Sequence, residues 1–351
     1  MIVKNEQDTL PNCLESVKNA VDEIIIVDTG SSDATKSVAK KYTDRIYDFL
    51  WIDDFSAARN FSFSKGTGDY LFWLDADDII STDDCKKLMD LKKSLSPSTD
   101  IVMMKYHTGF DSSGAPTFSY YRERLIKRSL GLRWEGAIHE AIVPVGNILY
   151  SDVAIRHAKV RSSDPGRNLR IFEKLLSKNK ELSPREQFYY GRELFYHGRY
   201  QDAIDVLERF LDEGRGWLEN NISACQNLAD CYYAQNKPSQ ALIALLRSFT
   251  MDAPRAEICC EIGRHFLSRQ MFSIAAHWYE TALCLPIPQS SSGFISPDCY
   301  GYLPAIQLCI CYDHMGNLPL AQSYNELAGH YKPTDAAYLY NREYFERKLG
   351  K

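Results

Sequence analysis

Along the first 160 residues the apolar positions keep changing period, with short β-branched or aromatic runs separated by helix-spaced segments. Met1-Ile2-Val3 opens as a strand, and Leu10, Cys13, Leu14, Val17 and Val21 then recur at the spacing of one buried helical face. Glu23-Ile24-Ile25-Ile26-Val27-Asp28 predicts a second strand. The turn Thr29-Gly30-Ser31-Ser32-Asp33 follows, where Ser32 or Asp33 can cap a helix over 34–41. A third strand is expected over 45–51, and a helix over 57–65 that ends at Gly66 or Gly68. Tyr70-Leu71-Phe72-Trp73-Leu74 reads as a strand buried on both faces, the pattern of a parallel sheet's interior. Strands and helices joined this closely predict an α/β unit with a mostly parallel sheet. From Asp100 the pattern turns to strands, with a hairpin turn at Asp111-Ser112-Ser113-Gly114-Ala115-Pro116 and a tyrosine- and arginine-rich stretch over 117–127.

Ser162-Ser163-Asp164-Pro165-Gly166 breaks this pattern, and beyond it the period is helical almost to the end. Gly198-Arg199-Tyr200-Gln201-Asp202-Ala203 recurs as Asn236-Lys237-Pro238-Ser239-Gln240-Ala241, Gln270-Met271-Phe272-Ser273-Ile274-Ala275 and Gly316-Asn317-Leu318-Pro319-Leu320-Ala321. The steps between the alanines are 38, 34 and 46 residues, the longest carrying a Pro- and Ser-rich insertion over 286–297. The unit resembles the 34-residue tetratricopeptide helix pair. Ala203, Ala241, Ala275 and Ala321 would let paired helices approach closely, with Tyr196, Tyr232, Phe266 and Tyr312 filling the gaps between them. The expected organisation is a first domain over 1–161, a linker and connecting helix over 162–182, and repeats over 183–345. Stacked repeats suit an extended peptide or a partner protein, or serve as a scaffold or dimerisation arm.

The chemistry gathers at Asp75-Ala76-Asp77-Asp78, where the fourth strand runs into three carboxylates. Buried acids without partners are costly, so this cluster should face water or a cation. Two carboxylates one residue apart can share a hard divalent ion with a ligand's phosphates; the plainer alternative is that Asp78 caps the next helix. The polar strand ends Asn5-Glu6, Asp28 and Asp75 with Asp77 would converge on one sheet edge, where open α/β sheets bind ligands. No glycine-rich dinucleotide fingerprint or phosphate loop is present, which leaves a metal held by Asp75 and Asp77 to meet anionic phosphates.

Four segments in order, Ile2-Val3-Lys4-Asn5-Glu6, Val27-Asp28-Thr29-Gly30-Ser31-Ser32-Asp33, Asp54-Phe55-Ser56-Ala57-Ala58-Arg59-Asn60 and Trp73-Leu74-Asp75-Ala76-Asp77-Asp78, together resemble the family 2 glycosyltransferases. The resemblance implies a Rossmann-like GT-A domain of α/β class followed by an all-α domain of tetratricopeptide-like repeats. It also implies inverting transfer of a sugar from a nucleotide-sugar donor. Asp28 would then contact the base, Asp75 and Asp77 would hold Mn²⁺ or Mg²⁺ against the diphosphate, and Asn5, Glu6, Arg59 and Ala76 would lie by the donor. A surface ion pair with Asp53 or Asp54 is the alternative for Arg59. Relatives carry apolar residues ahead of the position of Met1, so either the start lies upstream or the first strand is short; missing residues would cost the base pocket part of its wall.

Trp134-Glu135-Gly136-Ala137-Ile138-His139-Glu140 resembles a segment of the subgroup with helical repeats. An inverting transfer needs a base near the acceptor, and Glu140 is the candidate, with His139 as a metal or phosphate contact. Strand alternation would put His139 and Glu140 on opposite faces unless the backbone leaves the strand near Gly136. His157 is a second candidate for the metal's third ligand, and a structural histidine is its alternative. The resemblance permits a peptide or protein acceptor, as in transferases that modify bacteriocin peptides or flagellin, and equally a cell-wall or lipid-linked glycan. A UDP-sugar is the expected donor. The alternatives are a repeat-based binding protein with a degenerate transferase half, and a nucleotidyltransferase, which would carry a basic glycine-rich loop where Lys4-Asn5-Glu6-Gln7-Asp8 stands.

Composition narrows these readings. A formal charge of −5 and a pI near 5.9 argue against nucleic acid or an anionic membrane as the main partner. Residues 1–20 lack a signal peptide's apolar segment, and no run approaches membrane-spanning length. The ten scattered cysteines lack paired metal-ligand spacing and read as reduced thiols, which points to the cytoplasm. The oligomeric state is not set by the sequence.

Overall fold

Three two- to three-residue strands carry the start of the chain: β1 (Ile2–Val3), β2 (Ile26–Asp28) and β3 (Ile46–Asp48), all parallel and in that order. Helix α1 (Leu10–Val17) packs its Leu10, Cys13, Leu14 and Val17 face into the core, as the spacing predicts. Between β2 and β3 lies α2 (Thr35–Ala39), entered through Asp33, whose carboxylate accepts the Thr35 N–H at 3.0 Å. Helix α3 (Phe55–Ser64) is capped by Asp54, which accepts the Ala57 N–H at 2.9 Å. In the computed structural model, residues 1–110, 114, 116–158, 164–287 and 295–349 are described.

The apolar run at Tyr70 departs from its expected pairing. Strand β4 (Tyr70–Phe72) is three residues long, half-buried, and antiparallel to β7 (Pro116–Lys127). Trp73 and Leu74 are buried beyond the ladder. Five apolar residues in a row report burial but not the direction of the neighbouring strand, and here the neighbour comes from later in the chain. Strand β5 (Asp78–Ile80), helix α4 (Thr82–Ser94), β6 (Ile101–Phe110) and β8 (Ile148–His157) complete a mixed sheet of order β4-β7-β6-β8-β5. Ser81, not Asp78, caps α4, accepting the Asp84 N–H at 3.1 Å. The expected hairpin turn at 111–116 lies mostly outside the described residues. So do the expected boundary at 161 and 162 and most of the insertion over 286–297.

The chain divides into Met1–Glu186 and Gln187–Lys351. Helix α5 (Arg167–Ser177) belongs to the first unit, and the division falls inside α6 (Pro184–Tyr196). The second unit continues as hairpins of helices: α7 (Tyr200–Glu213), α8 (Leu218–Ala234), α9 (Pro238–Arg247), α10 (Ala256–Leu267), α11 (Phe272–Cys284), α12 (Tyr302–His314), α13 (Leu318–Tyr331) and α14 (Ala336–Leu349). Gly198, Asn236, Gln270 and Gly316 each take positive φ, so every recurring turn reverses through a left-handed residue at the same place. Ala203, Ala241, Ala275 and Ala321 are fully buried. At Gly263 a Cβ would stand 2.8 Å from the Tyr279 ring, so α10 and α11 need its absence. Tyr232 and Tyr312 reach across helices to Glu208 at 3.0 Å and Glu280 at 2.5 Å. Tyr196, expected in the core, is exposed instead. The described cysteines are all free thiols.

One carboxyl in the repeats carries a pH signature. Burial first, and then the nearby Glu261, push the Asp230 carboxyl up to about 6, with Arg264 opposing them. An unfolded aspartate titrates near about 3.9. The folded state therefore holds this proton more tightly, and the group's contribution to stability falls as pH rises from about 4 to about 6. Asp230→Asn is expected to raise Tm at pH 8 and to change it far less at pH 4. Equal shifts at both pH values would contradict that environment.

Candidate active site

The turn that follows β4 sets the site. Asp78 N–H donates to the Asp75 carbonyl and Asp75 N–H to the Asp78 carboxylate, both at 3.0 Å, while Ala158 N–H donates to the Asp77 carbonyl at 2.8 Å. Asp78 is wholly buried and accepts from Tyr106 Oη at 2.9 Å and from Arg124 at 2.9 Å. Burial alone would raise its carboxyl, but the Arg124 guanidinium, His157 and these hydrogen bonds hold it down at about 2. Arg124 is itself wholly buried, lying 3.8 Å from the Trp73 ring centre and 4.3 Å from that of Tyr106. Asp78 therefore anchors the turn, and its two neighbours in the motif are presented for chemistry. Arg124 and Tyr106 were not legible as site residues; only the arginine-rich alternation of β7 hinted at the former.

Arg59 joins two of the expected residues. Its Nη2 lies 2.7 Å from Asp75 Oδ1 and its Nε 2.5 Å from Glu140 Oε1. The guanidinium packs against both Trp73 and Trp134, 5.0 and 4.9 Å from their ring centres, and the two rings meet edge to face with centres 4.9 Å apart. Although burial opposes the charge most strongly, Asp75 and Glu140 raise its pKa further. The alternative of a surface ion pair with Asp53 or Asp54 does not hold: Asp53 pairs with Lys174 and accepts from Trp51 Nε1 at 2.9 Å, while Asp54 caps α3.

Glu140 reaches Arg59 because α3 pins its loop. Asn60 accepts from Trp134 N–H and donates to the Trp134 carbonyl, both at 2.9 Å, and Phe55 N–H donates to the Ala137 carbonyl at 2.9 Å. The stretch from Leu132 is not a strand. Among the described residues it holds one isolated bridge, Glu135 to Ala141, and Gly136 and His139 both take positive φ. The backbone does leave the extended path at Gly136, so alternation does not govern where Glu140 and His139 sit. His139 is half-buried, and its carbonyl accepts from Arg185 Nε at 3.0 Å.

His157, the last residue of β8, does come to the cluster. Its Nδ1 is 3.5 Å from Asp77 Oδ1 and 3.7 Å from Asp78 Oδ1, and it is buried without a hydrogen-bond partner. The nearby Asp78 carboxylate, then Asp77, raises the imidazole pKa against burial. Burial raises the Asp77 carboxyl in turn. Asp77, Asp78 and His157 offer donor atoms within 4.8 Å of one another. With Asp78 committed to Arg124 and Tyr106, Asp77 and His157 are the pair with donors to give, and the partnerless Nδ1 is what a bound cation would satisfy.

The expected residues Asn5, Glu6 and Asp28 lie on β2 and in the loop after β1. Asp28 is buried, and its Oδ1 accepts the N–H groups of Gly30 at 3.0 Å and Ser31 at 2.9 Å. Its Oδ2 has no partner. Asn5 takes positive φ and accepts the Ser32 N–H at 2.8 Å, and Thr9 donates to the Glu6 carboxylate at 2.5 Å. Asn5 and Glu6 thus shape the loop beside Asp28. Ala76 is buried within the motif turn, where its small side chain fits against the β1–β2 core.

Residues 1–151 match the family described as glycosyl transferase family 2. The N-terminal unit therefore carries a domain of that family, and helical hairpin repeats follow it. Over 228 residues the chain is 27% identical to the SPbeta prophage-derived glycosyltransferase SunS of Bacillus subtilis, covering 60% of this chain and 52% of that protein. It is 27% identical over 229 residues to the lipopolysaccharide core biosynthesis glycosyltransferase LpsC of Rhizobium meliloti, covering 61% and 80%. A 78-residue stretch is 49% identical to a TPR repeat-containing protein of Synechococcus elongatus, covering 22% of this chain and 19% of that protein. The aligned region thus spans between a fifth and about half of the length of the first relatives it matches. Among solved structures, MamA aligns at a TM-score of 0.38 and 18% identity, over 48% of this chain and 84% of that one.

Proposed function

We propose that this chain is a metal-dependent inverting glycosyltransferase that moves a sugar from a nucleotide-sugar, a UDP-sugar in the first instance, to an acceptor chosen with the help of the repeats. The observation that carries the reading is Arg59, packed against two tryptophans and gripping both Asp75 and Glu140 beside the Asp77–His157 pair. A bound Mn²⁺ or Mg²⁺ would supply positive charge against the donor's diphosphate, with Asp77 and His157 as ligands and Asp75 beside them.

The chain's own residues do the rest. Asp28 Oδ2 accepts from the N–H edge of the base, and the Asn5 and Ser31–Ser32 loop closes around it. Glu140 takes the proton from the acceptor hydroxyl or thiol as that atom attacks the anomeric carbon. The carbon–oxygen bond to the diphosphate breaks as the new bond forms on the opposite face. Arg59 keeps Glu140 aimed, and Trp73 and Trp134 exclude water around it. The repeats would bind an extended peptide or protein acceptor, since stacked helix pairs suit such ligands. Among the described residues no helix is long and apolar enough to cross a membrane.

The test is nucleotide release by the full chain. With Mn²⁺ and one UDP- or GDP-sugar, slow release of the nucleoside diphosphate is expected, abolished by EDTA and accelerated by the true acceptor. Absence of release from every common donor by folded protein would contradict the proposal.

A further inference from the structure

Glu140 sits on a loop that is closed at its neck: Glu135 N–H donates to the Ala141 carbonyl at 3.0 Å, and Ala141 N–H returns to the Glu135 carbonyl at 3.1 Å. Inside the neck, two carbonyls accept from partners elsewhere in the chain. Phe55 N–H, at the start of α3, donates to that of Ala137, and Arg185 Nε, in the first turn of α6, donates to that of His139. Ile138, between them, is buried. Glu140 is thus aimed from three directions: Arg59 holds its carboxylate, and Phe55 and Arg185 hold the backbone that carries it.

The chain is strained beside both of these backbone holds. Asn179, Asn236 and Gln270 take positive φ just past helix ends, where left-handed residues are ordinary. Asp53 and His139 do so at 61° and 52° in the two loops that meet here. An L-residue keeps that conformation where its surroundings fix it. At His139 the carbonyl is fixed by Arg185. At Asp53 the carboxylate is fixed by Trp51 and by Lys174 of α5, while Arg167 of the same helix lies 4.9 Å from the Phe55 ring centre. Arg167, Lys174 and Arg185 all lie past residue 151, where the family match ends, yet within the first unit, which runs to Glu186.

We infer that Arg185 is a positioning residue for Glu140: through the His139 carbonyl it fixes the loop over 135–141, so that the carboxylate stays within reach of the acceptor atom. Misplacing a reacting group by about 1 Å can cost about 10²-fold in rate, so one hold on the loop is enough to matter. The start of α6 then belongs to the catalytic machinery. The effect on transfer rests on the reading of Glu140 as the base; the hold on the loop does not.

The test compares the full chain with Arg185→Ala, and with Arg192→Ala as a control further along α6, where the guanidinium packs against Tyr189 and Tyr196. Arg185→Ala is expected to speed amide exchange at Phe55 and Ala141 at least about tenfold and to leave Met104 of β6 unchanged. With donor, Mn²⁺ and acceptor it should lower kcat about 10- to 100-fold, with the donor KM within about twofold. Arg192→Ala should do neither. Where Arg185→Ala does not fold, Arg185→Met, which keeps the apolar stem without the donor, takes its place. Exchange at Phe55 and Ala141 that stays at the parent rate would overturn the proposal, whether or not the chain transfers sugar. Faster exchange with an unchanged kcat would overturn the positioning role. If the parent chain turns over no donor, the reading of Glu140 as base fails, and exchange alone decides whether Arg185 fixes the loop.

Discussion

Glu140→Gln is expected to lower the rate of sugar transfer by about 10²- to 10⁴-fold, the usual span for loss of a general base, with donor affinity within about twofold. The glutamine keeps an oxygen for Arg59 Nε to donate to, so the guanidinium stays packed against Trp73 and Trp134 and the loop pinned by Asn60 keeps its path. What is lost is the carboxylate's ability to take a proton. If Glu140 serves only to hold Arg59, the substitution should leave transfer almost unchanged; if it weakens donor binding alone, the base assignment is wrong. Steady-state kinetics with Tm as a folding control separates these cases.

Asp77→Asn is expected to remove metal-dependent nucleotide binding, lowering affinity at least about 100-fold in the presence of Mn²⁺ without loss of fold. Asp77 carries no anchoring role comparable with that of its neighbour: its backbone carbonyl holds Ala158, and its side chain faces His157. Asp75→Asn should also weaken metal-dependent binding, because the change touches both the site and the grip of Arg59. Asp78→Asn is a different experiment. It removes a buried charge opposite Arg124, and losing one partner of such a pair costs about 3–5 kcal/mol, so its failure would be one of stability.

Much of the site was legible because acids at strand ends carry a physical signature. Asp28 and the Asp75–Asp77 pair follow apolar runs, and the structure sets each at the end of a strand or in the turn that follows one. The repeats were legible for a different reason: the same left-handed turn and the same buried alanine recur at each hairpin. The direction of the strand at Tyr70 was not, because an apolar run has no polarity. Nor was the division of labour within Asp75-Ala76-Asp77-Asp78, since three acids look alike until Arg124 and Tyr106 arrive from β7 and β6. Gly136 marked the place where the segment around Glu140 leaves the strand, but the positive φ of His139 has no counterpart in composition. Arg59 was placed near the donor by resemblance alone; its hold on Glu140 joins residues 81 positions apart, beyond the reach of any local pattern.

The most direct test of the central claim is calorimetric titration of UDP, GDP and their common sugar conjugates into the full chain, with and without Mn²⁺. The account predicts saturable binding of one nucleotide and its conjugates that requires the metal and disappears in Asp77→Asn. Well-folded protein that binds none of them, or binds one equally well without metal, would contradict it.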